Sequence, residues 1–158
     1  MSEIIKNMSE IIKNNWNSKS NEYFQRDLDC YDEIIKNPER AFPINLYPLI
    51  QKYISDLRGK KVCVPSSGDN IAAFGFHLLG AKVTSCDIAE NQLKNAKIIA
   101  DKYNFNGIEF ICQDSMKLEK IKDNEAANQK YNWTGDTFDW HVNPWAALPQ
   151  CLCLCSQK

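Results

Sequence analysis

The sequence predicts an α/β fold, a doubly wound and mostly parallel sheet with helices on both faces. Three observations within residues 61–114 support this prediction. Three short apolar runs have the length of buried strands. Two helical patterns of about a dozen residues separate them, as a crossover between parallel strands requires. Each run ends in polar residues, and the alternation of strand and helix is typical of doubly wound sheets.

The predicted elements follow one another closely along the chain. The strands are residues 62–64, 83–88 and 108–112, and the helices between them are residues 71–79 and 89–103. Asp69 or Asn70 is the expected N-cap of the first helix, and Gly80 its C-terminal stop. Apolar residues at helical spacing in residues 43–57 predict a further helix that packs on the sheet before the first strand.

Ligands of doubly wound sheets bind beyond the carboxyl ends of the strands. The first strand ends in a turn of small residues, where Gly68 can adopt a positive φ without penalty. Asp87 ends the second strand, 19 residues after Gly68. An acid about 20 residues after such a glycine reaches the ribose hydroxyls of a nucleotide. Asp114 and Ser115 follow the third strand, so three turns offer polar groups at one edge.

Each of these acids also has a structural interpretation. Asp87 followed by Glu90 fits a helix cap with its reciprocal glutamate. An isolated acid such as Asp114 is common in turns and at helix N-termini. The combination of three turns favours the nucleotide site.

This arrangement resembles the class I S-adenosylmethionine-dependent methyltransferases over roughly residues 55–116. In that family, the first turn wraps the methionine and ribose parts of the cofactor, the second acid binds the ribose hydroxyls, and the third contacts the adenine amine. The resemblance implies S-adenosylmethionine as the cofactor and assigns its binding to Val64, Pro65, Ser66, Ser67, Gly68, Asp69, Asn70, Asp87, Ile88, Asp114 and Ser115.

The first turn departs from the pattern of the family. An acid usually precedes a run of spaced glycines, whereas Val64 stands at the acid position. Ser66 and Asn70 replace the outer glycines, which leaves Gly68 alone. Asn tolerates a left-handed backbone better than most residues do, so the turn can still form.

The N-terminus begins with a duplicated heptad, Met-Ser-Glu-Ile-Ile-Lys-Asn, which predicts a docking helix or a duplicated start without a function. Residues 16–24 resemble the segment that folds over the cofactor in many small methyltransferases. The candidates for a substrate-binding lid are therefore Trp16, Tyr23 and Phe24. An equally good interpretation is that these side chains merely cap the sheet.

After Leu118 the pattern becomes difficult to interpret. Residues 138–142 could form a fourth strand, and Asn143-Pro-Trp resembles the Asn-Pro-Pro-aromatic motif of amine methyltransferases. A structural role is expected for His141. Cys151, Cys153 and Cys155 alternate as in a strand, but metal sites favour other spacings, so no metal is predicted. The family has three more strands than the remaining sequence can hold, which suggests a truncated or divergent C-terminus.

Composition restricts the class of protein. The chain has 158 residues, 44% of them hydrophobic and 25% charged, which suits one globular domain. A net charge of −1 provides no electrostatic footprint for nucleic acid or an anionic membrane. The sequence shows no membrane span or signal-peptide pattern. Seven cysteines without disulfide-like spacing favour reduced thiols and a cytoplasmic location.

These observations predict three parts of one domain: N-terminal cap and docking helices (residues 1–58), a cofactor-binding core (59–118) and a divergent C-terminal segment (119–158). The first functional hypothesis is a methyltransferase that acts on an unidentified, small-molecule acceptor, with catalytic residues that the sequence does not reveal. The alternative is a truncated, non-catalytic remnant that serves as a binding or partner protein. A nicotinamide-dependent dehydrogenase ranks last, because Gly-x-Gly-x-x-Gly is absent after the first strand.

Overall fold

Four strands and five α-helices occur in residues 3–114 and 153–155, the part of the chain that the computed structural model describes. The helices are α1 (Glu3–Asp27), α2 (Tyr31–Lys36), α3 (Leu46–Tyr53), α4 (Ile71–Leu78) and α5 (Glu90–Tyr103). The strands are β1 (Lys61–Pro65), β2 (Lys82–Asp87), β3 (Glu109–Cys112) and β4 (Cys153–Cys155). Short 3₁₀ turns at Leu28–Cys30 and Pro38–Ala41 flank α2.

The sheet has the strand order β3-β2-β1-β4. β1, β2 and β3 are parallel, with Val62 opposite Val83 and Ser85 opposite Phe110. This confirms the predicted α/β fold, in which α4 and α5 connect successive parallel strands. β4 pairs with β1 in the antiparallel direction, and Cys153 lies opposite Cys63. The predicted fourth strand at residues 138–142 lies outside the described residues.

The main hydrophobic core lies between the sheet and the helices that connect it. β-Branched residues of β1 and β2 suit a strand that is buried on a packed face. Alternation along the strands directs Val62, Val64 and Val83 to this face. They pack in one cluster with side chains of α3, α4 and α5, namely Ile50, Phe74, Phe76, Ala96 and Ile99. The opposite face of the same strands carries Cys63 and Cys86, which form a separate small cluster with Ile111.

The helix preceding β1 is shorter than the predicted helix at residues 43–57. α3 begins at Leu46 because Pro48 is compatible with a helix only in the first turn. At the other end, Asp56 accepts a hydrogen bond from the backbone N–H of Arg58 at 3.0 Å. The helix ends at Tyr53. The local bond at Asp56 competes with helical hydrogen bonding, so residues 56–58 do not extend the helix.

The long helix α1 lies against α5. Asn17 accepts a hydrogen bond through Oδ1 from the backbone N–H of Asn91 at 2.9 Å. One turn later, the carbonyl of Ser20 accepts a hydrogen bond from Asn95 Nδ2 at 3.1 Å. Residues 3–14 of the duplicated heptad are therefore part of a helix that docks on the core. Within the described residues, no helix combines the length and apolarity that a membrane span requires.

Candidate functional site

The turn after β1 is held against the end of β2 by hydrogen bonds. The backbone N–H of Gly68 donates to Asp87 Oδ2 at 2.9 Å. The backbone N–H of Ser67 donates to the carbonyl of Cys86 at 3.0 Å, and the hydroxyls of Ser67 and Ser85 are hydrogen-bonded to each other. Two of the three turns that the sequence singled out are therefore in direct contact.

Asp87 is the centre of this arrangement. Its side chain points into the turn and not away from it, and only 8% of the residue is exposed. Besides Gly68, the backbone N–H of Ala89 donates to Asp87 Oδ1 at 2.7 Å. Burial raises the pKa of the Asp87 carboxyl, while hydrogen bonds from Ala89, Gly68 and Ile88 oppose this shift. Each carboxylate oxygen has two lone pairs, so Asp87 retains acceptor capacity for the hydroxyls of a ligand.

The capping interpretation of Asp87 and Glu90 does not describe the structure. The N-cap of α5 is Ala89, which has no side-chain capping bond. Glu90 instead forms an exposed ion pair with Lys94 at 3.3 Å. Asp87 thus connects the start of α5 to the turn after β1.

The backbone of the turn is left-handed at two positions. Ser66 has φ of 49° and Gly68 has φ of 52°. A Cβ at Gly68 would lie 2.7 Å from Gln92 Oε1, so a side chain there would meet both strain and a clash. Gln92 is 4% exposed and packs directly over the turn. The sequence analysis missed Gln92, although an amide next to the apolar face of a helix is an unusual buried residue.

The remaining residues of the first turn have structural partners. Asn70, one of the two expected N-caps, accepts a hydrogen bond from the backbone N–H of Ala72 at 2.8 Å. The hydroxyl of Tyr31, which is fully buried, donates to the carbonyl of Asp69 at 3.3 Å. The other predicted binding residues near the turn are buried or half-buried: Val64, Pro65 and Ile88.

Asp114 lies at the same edge of the sheet, after β3. The backbone N–H of Gln113 donates to the carbonyl of Asp87 at 2.9 Å, which ties the end of β3 to the end of β2. Ser9 of α1 donates through its hydroxyl to Asp114 Oδ2 at 3.0 Å. Ser115 lies outside the described residues. The structure thus brings the ends of all three parallel strands together and places α1 beside the third.

The lid candidates are on α1. The rings of Trp16 and Tyr23 are tilted against each other, with centroids 5.6 Å apart. Ile12 and Met8 lie about one and two turns before Trp16 and are 47% and 56% exposed, and Trp16 is 41% exposed. Helix α1 therefore presents an apolar surface while its polar side chains contact α5 and Asp114.

Other candidates lie away from this edge or beyond the described residues. His77 of α4 lies against Phe105, with ring centroids 5.9 Å apart, and burial lowers its pKa. His77 is therefore a packed side chain of the core edge. His141, Asn143, Trp145 and Cys151 lie outside residues 3–114 and 153–155. Within those residues, no group of three or more His, Cys, Asp or Glu side chains could hold a metal ion.

The fold of the described residues is found in solved methyltransferase structures. Two of them are magnesium protoporphyrin IX methyltransferase from Synechocystis PCC 6803, one with bound SAH and one with bound SAM. Each has a TM-score of 0.50 and 19% sequence identity over 67% of this chain.

The matches cover 51% and 54% of those two chains, so this chain spans about half of their length. No protein-family model and no curated protein matches the sequence. On the structural evidence, the chain has the fold of the class I S-adenosylmethionine-dependent methyltransferases.

Proposed function

We propose that this chain is an S-adenosylmethionine-dependent methyltransferase that acts on a small-molecule acceptor in the cytoplasm. The observation that carries the proposal is the hydrogen bond between Gly68 and the buried carboxylate of Asp87. It places a compact backbone turn and an acceptor with spare lone pairs at one edge of a parallel sheet. The solved structures of the same fold contain SAM or SAH, and their enzyme is named for a porphyrin, magnesium protoporphyrin IX.

The residues at the carboxyl ends of the three parallel strands can be matched to the ribose, methionine and adenine parts of this cofactor. Asp87 would accept hydrogen bonds from the ribose hydroxyls. The turn from Pro65 to Asn70 would contact the methionine part and the ribose. Asp114, with Ser115 beside it, would accept a hydrogen bond from the adenine amine. Ser9 donates to Asp114 Oδ2, and the remaining lone pairs of that carboxylate would accept from the amine.

S-adenosylmethionine, when bound, supplies a methyl group on an already activated sulfonium. The chain then has to align an acceptor with that methyl group and exclude water, and alignment alone contributes substantially to the rate. Trp16 and Tyr23 of α1 are the proposed apolar wall for the acceptor. This division of labour requires neither a catalytic triad nor a metal cluster.

Isothermal titration calorimetry with S-adenosylmethionine and S-adenosylhomocysteine tests the proposal. The intact chain should bind both, and Asp87→Ala should abolish the heat of binding. Asp101→Ala, on the exposed side of α5, is the matched control and should bind normally. Circular dichroism verifies that each variant is folded. Absence of binding by the intact chain would contradict the cofactor assignment.

Transfer is tested separately with a labelled methyl group and pools of small-molecule acceptors. Label transferred to an acceptor by the intact chain, and not by Asp87→Ala, supports the enzymatic function. Binding without transfer to any acceptor would favour the non-catalytic alternative.

A further inference from the structure

Two cysteines of the sheet lie in contact near the edge at which the parallel strands β1, β2 and β3 end. Cys63 of β1 and Cys86 of β2 have their sulfur atoms 3.8 Å apart. Both thiols are reduced, and the residues are 2% and 0% exposed. They pack with Ile111 on the sheet face opposite the main core. The proposed transfer reaction uses neither thiol.

The pair is diagonal across the two strands. Cys63 lies opposite Thr84, so Cys86 is two residues further along β2. A disulfide has a sulfur–sulfur distance of about 2.05 Å. Formation of this bond therefore requires the sulfurs to approach by about 1.8 Å, and a diagonal pair needs backbone movement for part of that approach.

A small oxidant can approach the pair from the side of Cys63. Cys63 lines a cavity of about 160 Å³, bordered also by Val62, Val83, Thr84 and Glu109. This volume exceeds the share of one water in the liquid, about 30 Å³, so a peroxide molecule fits. The hydrogen bond with Cys63 lowers the pKa of the Cys86 thiol, although burial opposes the shift. A lower pKa increases the thiolate fraction, which is the reactive form.

We propose that Cys63 and Cys86 are an oxidisable dithiol, which hydrogen peroxide converts into an intramolecular disulfide between β1 and β2. One thiolate attacks the peroxide, becomes a sulfenic acid and releases a water after proton transfer. The second thiol then attacks this sulfur and expels a second water. The two sulfurs lose two electrons in total, and the peroxide accepts them.

The disulfide would alter the hydrogen bonds between the end of β2 and the turn after β1. The carbonyl of Cys86 accepts the hydrogen bond from Ser67, and the next residue, Asp87, holds Gly68. Movement at the end of β2 displaces both acceptors relative to the turn. We therefore expect oxidation to weaken cofactor binding, a consequence that rests on the proposed function, whereas the disulfide itself does not.

Peptide mapping after peroxide treatment tests the dithiol. Remaining thiols are alkylated in denaturant before digestion with trypsin, which cleaves after Lys61, Lys82 and Lys94. The two cysteines then lie on separate peptides, residues 62–82 and 83–94. The expected result is a linked pair of these peptides, two hydrogens lighter than their sum and separated by dithiothreitol. The proposal would be overturned if Cys63 and Cys86 were still alkylated after peroxide treatment. Linkage of either to one of the other five cysteines would also overturn it.

Variants distinguish the pair from the other cysteines. Cys63→Ser and Cys86→Ser should each abolish the linked peptides, and Cys30→Ser, an exposed matched control, should retain them. The wild-type map decides the question even where a buried Ser prevents folding.

Calorimetry on the reduced and the oxidised protein tests the coupling. Binding should be weaker by roughly tenfold, about 1.4 kcal/mol, after oxidation, and dithiothreitol should restore it. Equal affinity in both forms would overturn the coupling. A linked pair in a protein that never binds the cofactor would contradict the proposed function and leave the dithiol supported.

Discussion

Asp87 is buried and accepts two backbone hydrogen bonds, and these two properties act on its protonation in opposite directions. Burial is the larger effect and raises the pKa of its carboxyl above the ordinary value of 3.8. The folded chain therefore holds this proton more tightly than the unfolded chain does. It follows that the contribution of Asp87 to the free energy of unfolding is largest below pH 3.8 and decreases as the pH rises through the raised pKa.

Cofactor binding should depend on pH in the opposite direction. Protonated Asp87 loses acceptor strength, so the affinity for S-adenosylhomocysteine should fall as the pH decreases through the raised pKa. Calorimetry over a pH series measures this, and NMR titration of the carboxyl carbon should give a midpoint above 3.8 in the free protein. Asp87→Asn should bind weakly at all of these pH values. The same pH dependence in the Asn variant would show that another group titrates.

Gly68→Ala should destabilise the turn in two ways. A non-glycine residue in the left-handed region costs about 1–2 kcal/mol, and the added Cβ would clash with Gln92 Oε1. Gly59→Ala is the matched control, because Gly59 also has a positive φ but has no atom within 4 Å of such a Cβ. Urea unfolding should show that Gly68→Ala lowers the free energy of unfolding more than Gly59→Ala does. Gln92→Ala in the same chain should recover part of the difference, and equal losses for the two glycines would contradict the clash.

Sequence reasoning identified Asp87 but not Gln92, for a physical reason. The contact between Asp87 and Gly68 follows from their separation along the chain, since strand, turn and helix lengths in a parallel unit vary little. The role of Gln92 depends on how α5 crosses the turn, which is a tertiary property. A helical pattern shows which residues share a face but not which loop that face covers.

At the scale of elements, α4 illustrates how much a helix depends on its first residue. Asn70 Oδ1 satisfies the backbone N–H of Ala72, one of the donors that a helix start leaves without an intrahelical partner. Asn70→Ala should therefore lower the free energy of unfolding by about 1 kcal/mol. Asn70→Asp retains the acceptor and should remain close to wild type. Urea unfolding checks both, and an equal loss in the two variants would contradict the capping role.

Helices α4 and α5 and the three parallel strands were predictable because their patterns are local. Hydrophobic periodicity, N-caps and glycine stops all lie within each element. The partner of β4 was not predictable, because strand pairing is set by residues far apart in the sequence. The alternation of Cys151, Cys153 and Cys155 was compatible with a strand but did not show its partner, and the structure pairs Cys153–Cys155 with the edge of β1 that β2 leaves unpaired. The predicted division of the domain into residues 1–58, 59–118 and 119–158 stays a prediction.

For the whole molecule, ligand binding and folding are linked. A ligand that binds only the folded chain stabilises it by about 2.7 kcal/mol at one hundred times its dissociation constant. Unfolding of a domain of this size shifts by roughly 2–4 °C per kcal/mol. S-adenosylhomocysteine should therefore raise the melting temperature by several degrees, and Asp87→Ala should lose this shift. Adenosine alone is a useful comparison, and a shift in neither case would contradict a preformed nucleotide site.

Ser9 and Asp114 are hydrogen-bonded across 105 positions of the chain, and this separation has a consequence during synthesis. Translation proceeds at roughly 5–20 residues per second, so Ser9 is synthesised roughly 5–20 s before Asp114. For that period Ser9 has no Asp114 to which it can donate. Helix α1 should therefore complete its docking on the core only after Asp114 has been synthesised.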